Sequence, residues 1–399
     1  MNKLINIKIK ASLALALALG MAGTSMTAQA VWLKNNDRLG DAGIFQYYTA
    51  NGGWQTFIRV INTSDDAVSV KVRFRDAANS REVLDFIVFL SPHDVWAGWT
   101  DTNATGNNEP GVRTLDTSCL YPLPDTNNTT EGWKSLGGNL LGADFQSRAF
   151  TYDDYDYDDG GNVDHTPTQR MAEGHLEMIG IASHEATSAF GRAVTHDHTS
   201  GKPANCSQAS DLFEAQAEGG EGDDLGNVLA MNGYVINVSL GMGGGFNPDM
   251  LADFADSSLV NDALLTATNP DMDSARKSKS RKNDGRYKQK GNLKGPGPNE
   301  SLPVRGGVDE VSYEFQRSSV INEWAASANP GNLISDYYTQ WILTFPTKHY
   351  YVDLQDDVQL LDDASPTLWD PSGDAFRTAI NGHKYTRVQA LPGTPAESN

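Results

Sequence analysis

Residues Val68 to Asp76 read VSVKVRFRD, a strict alternation of apolar and polar side chains. Successive side chains of an extended strand point to opposite faces, so Val68, Val70, Val72 and Phe74 share one face. Ser69, Lys71, Arg73 and Arg75 share the other. A helix would scatter both sets around its axis, so this segment is a strand with one face in need of a second layer. Its basic face is expected to meet acidic neighbours or water rather than hold an anion.

The surrounding text supplies that layer. IFQYYTANGGWQTFIRVIN holds two aromatic and β-branched runs joined by Asn51-Gly52-Gly53, a hairpin signal. INTSDDAV is a polar turn, and EVLDFIVFLSPHDVWAG is a further strand turning at Ser91-Pro92. GHLEMIGIAS, AFGRAVTHDH, VSYEFQRSSVINEW and TQWILTFPTKHYYVD also read as strands, and NGYVINVSLGMGGGFNP as a strand running into glycines. Residues 101–118 and 124–134 are rich in Asn, Thr and Gly and read as loops. DMLADFADSSLVNDALL has apolar spacing suited to a helix. Short strands without intervening helical periods predict a mainly β fold. Its expected form is an antiparallel immunoglobulin-like β-sandwich with long loop insertions and one or two short helices. No period of a repeat architecture is present.

Residues 1–30 have the physics of a signal peptide: Lys3, Lys8 and Lys10, a short apolar core from Leu13 to Gly20, and the cleavage site Ala28-Gln29-Ala30. The expected mature chain is exported, to the cell surface or extracellular space or else the periplasm, without a transmembrane segment. Residues 31–268 form the β-sandwich domain, 269–302 a basic mobile loop, 303–353 closing strands, and 354–399 an acidic tail. The chain carries a net charge of −20, which loss of the signal lysines deepens, and this argues against nucleic-acid binding. In an exported chain the two cysteines, Cys119 and Cys206, read as one disulfide enclosing the acidic stretch and most histidines, with free thiols or a catalytic cysteine as alternatives.

Three features carry candidate chemistry. DDYDYDDGGNVDH places Asp154, Asp156 and Asp158 at alternating positions with Asn162 beyond, an oxygen set suited to calcium. A strict EF-hand is absent, because Asp159 stands where its glycine belongs and His165 where its final acid does. Five of the eight histidines fall between His165 and His198. His196 and His198 would share a strand face, as would His175 and Glu177, and imidazoles so presented suit a transition metal at His175, His196 and His198. Exposed or hydrogen-bonded histidines are the plainer reading. Between Arg276 and Lys294 lie nine Lys or Arg against one acid, Asp284. Arg276, Lys277, Lys279, Arg281 and Lys282 are the anion-binding candidates there, for docking on envelope polymers. GMGGGF lacks the dinucleotide spacing and its βαβ setting, and no G-x-S-x-G elbow occurs.

Several blocks together resemble a poorly characterised family of exported proteobacterial cell-surface proteins: GWQTFIRVINTSDDAVSVKVRFRDAANSREVLDFIVFLSPHDVWAG, GHLEMIGIA, GKPANC, GYVINVSLGMGGGFNP and TQWILTFPTKHYYVD. They span most of residues 40–353. The resemblance implies a secreted β-rich protein with Cys119 paired to Cys206, and it brings no catalytic residues. The basic insertion departs from the family's pattern. The expected function is therefore non-enzymatic: adhesion, assembly or envelope structure, with anionic envelope polymers, other surface proteins or further copies of the chain as partners. The alternatives are a metal-dependent or acid-pair enzyme acting on extracellular polymers, and a periplasmic metal-binding protein.

Overall fold

A computed structural model describes residues 32–33, 39–77, 80, 82–125, 132–146, 171–219, 223–255, 258–260, 270–276, 292–294, 301–303, 307–315, 340–347 and 385–389. The strands in chain order begin with β1 (Trp32–Leu33), β2 (Leu39–Gly40), β3 (Ala42–Thr49), β4 (Trp54–Asn62) and β5 (Ala67–Asp76). They continue with β6 (Glu82–Leu90), β7 (Val95–Asp101), β8 (Gly111–Thr114), β9 (Cys119–Tyr121), β10 (Lys134–Gly137), β11 (Leu140–Asp144) and β12 (Glu173–His184). Helices α1 (Ala189–Val194) and α2 (Cys206–Gly219) precede β13 (Leu229–Asn237), β14 (Met242–Phe246) and β15 (Asp249–Ala252). Then come β16 (Asn292–Lys294), β17 (Ser301–Pro303), α3 (Val308–Phe315), β18 (Gln340–Thr344) and β19 (Tyr385–Gln389).

Two antiparallel sheets form the β-sandwich. The first has strand order β1-β15-β3-β12-β5-β6-β9, and the second β10-β11-β8-β7-β4-β13-β14 with β2 also on β13. The alternation of β5 decides what lies between them. Val68, Val70, Val72 and Phe74 enter the core with Phe45, Phe86, Val88 and Met178 of the first sheet and Ile58, Val60, Trp96 and Val112 of the second.

The Asn51–Gly53 turn forms, with Gly52 and Gly53 at φ 58° and 80°, but it is not a hairpin. β3 belongs to the first sheet and β4 to the second, so the turn is an arch between layers. Side-chain hydroxyls do the work of a ladder there. The Thr49 amide donates to Thr56 Oγ1 at 2.9 Å, and the Thr49 carbonyl accepts from the hydroxyls of Thr56 and Thr100. Asn62 pins the two next crossings, donating to the Asp66 and Ser91 carbonyls at 2.7 and 2.9 Å.

The far face of the first sheet is also covered. At one end α1 and α2 bury Phe190, Val194, Ala209 and Phe213 against Ile87, Phe89 and Ile181. At the other end Met272, Ala275, Val308 and Val311 pack on Ile44, Ile179 and Leu251. The disulfide Cys119–Cys206 ties β9, an edge strand, to the first residue of α2. Asn205 caps that helix, accepting from the Gln208 amide at 3.0 Å.

Several sequence expectations change here. AFGRAV is α1, because Ser188 caps it and Phe190, Ala193 and Val194 recur at helical spacing on the buried side. VSYEF lies in α3, where Val308 and Val311, one turn apart, meet the covered sheet face. The expected helix from Asp249 instead opens as β15, which inserts between β1 and β3; the Asp41 carboxylate then accepts the Phe254 and Ala255 amides and ends the strand. The loop 101–118 contains β8. Met272 and Ala275 within 269–302 are buried, and β16 pairs with β17. In the tail, Tyr385–Gln389 pairs with β18.

His184, 4% exposed, lies against Phe190 with ring centroids 4.1 Å apart and planes tilted by 37°. Burial lowers its pKa to about 4, against Asp223, which pulls the other way. The folded protein therefore holds this ring neutral, and its contribution is lost as pH falls from the unfolded value near 6.5 toward 4. Asp41 has the opposite sense. Burial raises it to about 7, so its contribution appears as pH falls through that value. The difference between wild type and His184→Gln isolates the imidazole. Between about pH 7 and pH 5 the wild type is expected to lose roughly 2 kcal/mol more than the variant in denaturant melts, and parallel losses would contradict this.

Candidate functional site

The basic face of β5 is buried, with Lys71, Arg73 and Arg75 between 1% and 6% exposed. The register places acids within reach from both neighbours: Arg73 lies opposite Asp85 of β6 and Glu177 of β12, and Arg75 opposite Glu82. Lys71 pairs with Asp85. Arg73 Nε lies 2.7 Å from Glu82, and Arg75 Nε 3.0 Å from Glu177. His175 Nε2 is 3.7 Å from the same carboxylate. Burial pushes Glu177 up, but Arg75, His175 and Arg73 together outweigh it and hold the carboxyl at about 2. Glu82 goes the other way, because burial and the neighbouring Asp85 favour its protonated form. Cations and carboxylates on this face answer one another in kind. The acidic partners are those the sequence reading of that face expected, but the layer is buried rather than open to water, and His175 belongs to it.

His196 and His198 lie elsewhere. Both line a pocket of about 890 Å³ with Ser91, Arg192 and Asp197. They follow α1 in a loop and not a strand; His196 forms only an isolated bridge with Pro203. His175 sits opposite Arg75, whereas Ser91 directly follows Leu90, which lies opposite Val68. At about 3.3 Å per residue these places are some 25 Å apart along the sheet. The structure therefore does not bring His175 to the other two. Among the described residues no group of three or more His, Cys, Asp or Glu is placed to hold a metal ion.

Around His196 stand residues that sequence spacing gave no reason to join. Ser91 Oγ is 3.2 Å from Nδ1, and Asp94 Oδ2 is 3.4 Å from the same nitrogen. Thr117 Oγ1 lies 3.4 Å from Nε2 but donates to the Gly201 carbonyl at 3.0 Å. A nucleophilic relay needs hydroxyl and carboxylate on opposite ring nitrogens. Here serine and aspartate meet the same one, and the threonine proton is committed to a carbonyl. Asp94 also accepts from the Ser91 and Val95 amides. The arrangement fastens the β6–β7 crossing to the loop after α1.

The third place is the β13–β14 hairpin. β14 pairs with β13 on one side and ends the second sheet on the other, among the described strands. Its sequence is Met-Gly-Gly-Gly-Phe, so the glycines form a strand, and the turn lies before them at Val238–Gly241. Val238, Leu240 and Met242 at the tip are 73%, 61% and 54% exposed. A Cβ on Gly244 would meet nothing within 4 Å. Of the candidate cation and anion ligands read from the sequence, Asp154, Asp156, Asp158 and Asn162, like Lys277, Lys279, Arg281 and Lys282, lie outside the described residues. Arg276 is described, and its amide donates to the Phe254 carbonyl at 2.7 Å. Among the described residues no helix is long and apolar enough to cross a membrane. No protein-family model, curated protein or solved structure matches the chain.

Proposed function

We propose that this is an exported, non-enzymatic surface or extracellular protein that assembles by strand pairing, with β14 as the pairing edge. One observation carries the reading. Natural sheets blunt their edges with charges, proline, bulges or a covering segment. β14 carries no charge and no proline, its register with β13 is unbroken, and it leads from an exposed apolar tip. Such an edge offers a row of backbone donors and acceptors to an incoming strand. A second copy brings the same uncharged strand, so two hairpins can meet antiparallel about a two-fold axis without like-charge repulsion at the contact. The signal-like start, the acidity and the resemblance to exported cell-surface proteins support the compartment.

Gly244→Lys tests this at little cost to the fold, because the new side chain has open space. Wild type should show a concentration-dependent rise in sedimentation coefficient. The lysine should lower the association constant at least about tenfold by forcing two ammonium groups together on a desolvated edge. Equal association of wild type and variant, or a wild type monomeric at all concentrations, would refute the proposal.

A further inference from the structure

Beyond assembly, we infer that the open face of the second sheet is a binding platform for uncharged polysaccharide. The sheet register sets Tyr234 opposite Phe57, Phe57 opposite Trp99 and Trp99 opposite Arg113. Ile58, Val60 and Trp96, the alternate residues, fill the sandwich core, so this row lies on the other face. Phe57 and Tyr234 are 40% and 44% exposed. The Phe57 and Trp99 rings are nearly parallel, 19° apart, with centroids separated by 5.9 Å. Two inter-strand spacings give the aromatic row a span of about 10 Å between its outer backbone positions, enough for a short run of sugar units.

Gly243 and Gly245 of β14 belong to this face as well. A Cβ on Gly243 would come within 2.7 Å of the Tyr234 hydroxyl oxygen, and one on Gly245 within 3.6 Å of its ring. The Tyr234 ring thus rests on bare backbone and turns its other side to solvent. Rows of hydrogen-bonding groups flank the aromatics. Gln55 donates to Asp101, which also holds Arg113 at 3.1 Å. On the far side Arg59 donates to Asn232.

This combination selects its occupant. A pyranose ring has an apolar C–H face that stacks on an aromatic ring, and a rim of hydroxyls suited to amide, carboxylate and guanidinium groups. A protein partner would want an apolar, water-excluding patch, and here polar rows run along both sides of the aromatics. A polyanion would meet one arginine already paired with Asp101 and another, Arg59, engaged with Asn232, on a chain of net charge −20. An uncharged glycan suffers neither objection.

The test is retention of the purified protein on cellulose, chitin and starch, with heparin resin as the polyanionic control. At least one uncharged polymer should retain the wild type, and raising the salt should not release it. Trp99→Ala and Tyr234→Ala should each lower affinity about tenfold, the loss of one stacked aromatic. Arg59→Ala, at an exposed position whose hydrogen bond to Asn232 is also exposed, should weaken retention while moving the melting temperature little. Gly243→Val should also weaken retention while Tyr234 is still present, because it lifts the ring, at some cost in stability from the Val235 carbonyl 2.9 Å from the new Cβ. No retention on any uncharged polymer, retention on heparin alone, or variants retained as wild type would each overturn the inference. So would finding that the aromatic variants only shift the monomer–dimer equilibrium.

Discussion

Glu177→Ala should destabilise the fold by about 3–5 kcal/mol, a large part of the total stability of an ordinary domain. Glu177 is fully buried and is the acid that the central strand β12 contributes to the ionic layer. Without it Arg73, itself nearly buried, keeps its contact with Glu82, while Arg75 loses the carboxylate 3.0 Å from its Nε. Removing one partner of a buried pair costs more than the pair was worth, since the other charge stays desolvated. The corresponding pH behaviour has a definite sign. With the folded pKa held at about 2, below its unfolded value near 4.5, the stabilisation is full above 4.5 and lost as pH falls toward 2. Urea melts should show the midpoint falling sharply in Glu177→Ala. In the double variant Glu177→Leu, Arg75→Leu, part of the stability should return, because no charge is stranded. A change under 1 kcal/mol in the single variant would mean that water reaches the layer.

Cys206→Ser should cost about 4–5 kcal/mol under oxidising conditions, the loop-closure entropy released by opening a cross-link with a sequence separation of 87. The bond has a local consequence too. It holds the start of α2 on β9, so that Phe213 stays against Phe89 and Tyr121 at ring distances of 5.0 and 5.6 Å. Loss of the bond should therefore expose the α1–α2 cover to proteolysis before the sandwich itself melts. Thiol titration of the denatured, unreduced wild type should find no reactive cysteine. Two reactive thiols, or an unchanged melting temperature in Cys206→Ser, would contradict this account.

Strand character was legible wherever one face had to be apolar: β4, β5, β6, β12 and β13 stand where the alternation and β-branched runs placed them. The pairing of Cys119 with Cys206 was legible from the expected compartment and the even count. Layer membership was not. Asn51-Gly52-Gly53 specifies a tight turn, but whether its arms pair or part depends on partners distant in sequence, here β12 and β15 for β3 and β7 and β13 for β4. Helices α1 and α2 escaped because their buried residues, Phe190 and Val194 or Ala209 and Phe213, are too few for a periodic signal against Gly191 and the polar run around them. Basic positions on β5 signalled a polar face, while their burial depends on tertiary packing that alternation does not encode. The platform residues were each visible as strand residues. Their alignment into one row across β13, β4, β7 and β8 follows from register alone.

Hydrogen–deuterium exchange of the wild-type protein at low and high concentration bears on the pairing edge itself. If β14 receives the strand of a second copy, the amides of Met242–Phe246 should slow markedly as concentration rises, since outward donors become laddered. The opposite end of the same sheet, β10 at Lys134–Gly137, should exchange at the same rate throughout. Protection of β14 that is unchanged while the protein demonstrably associates would place the contact elsewhere and contradict the proposal.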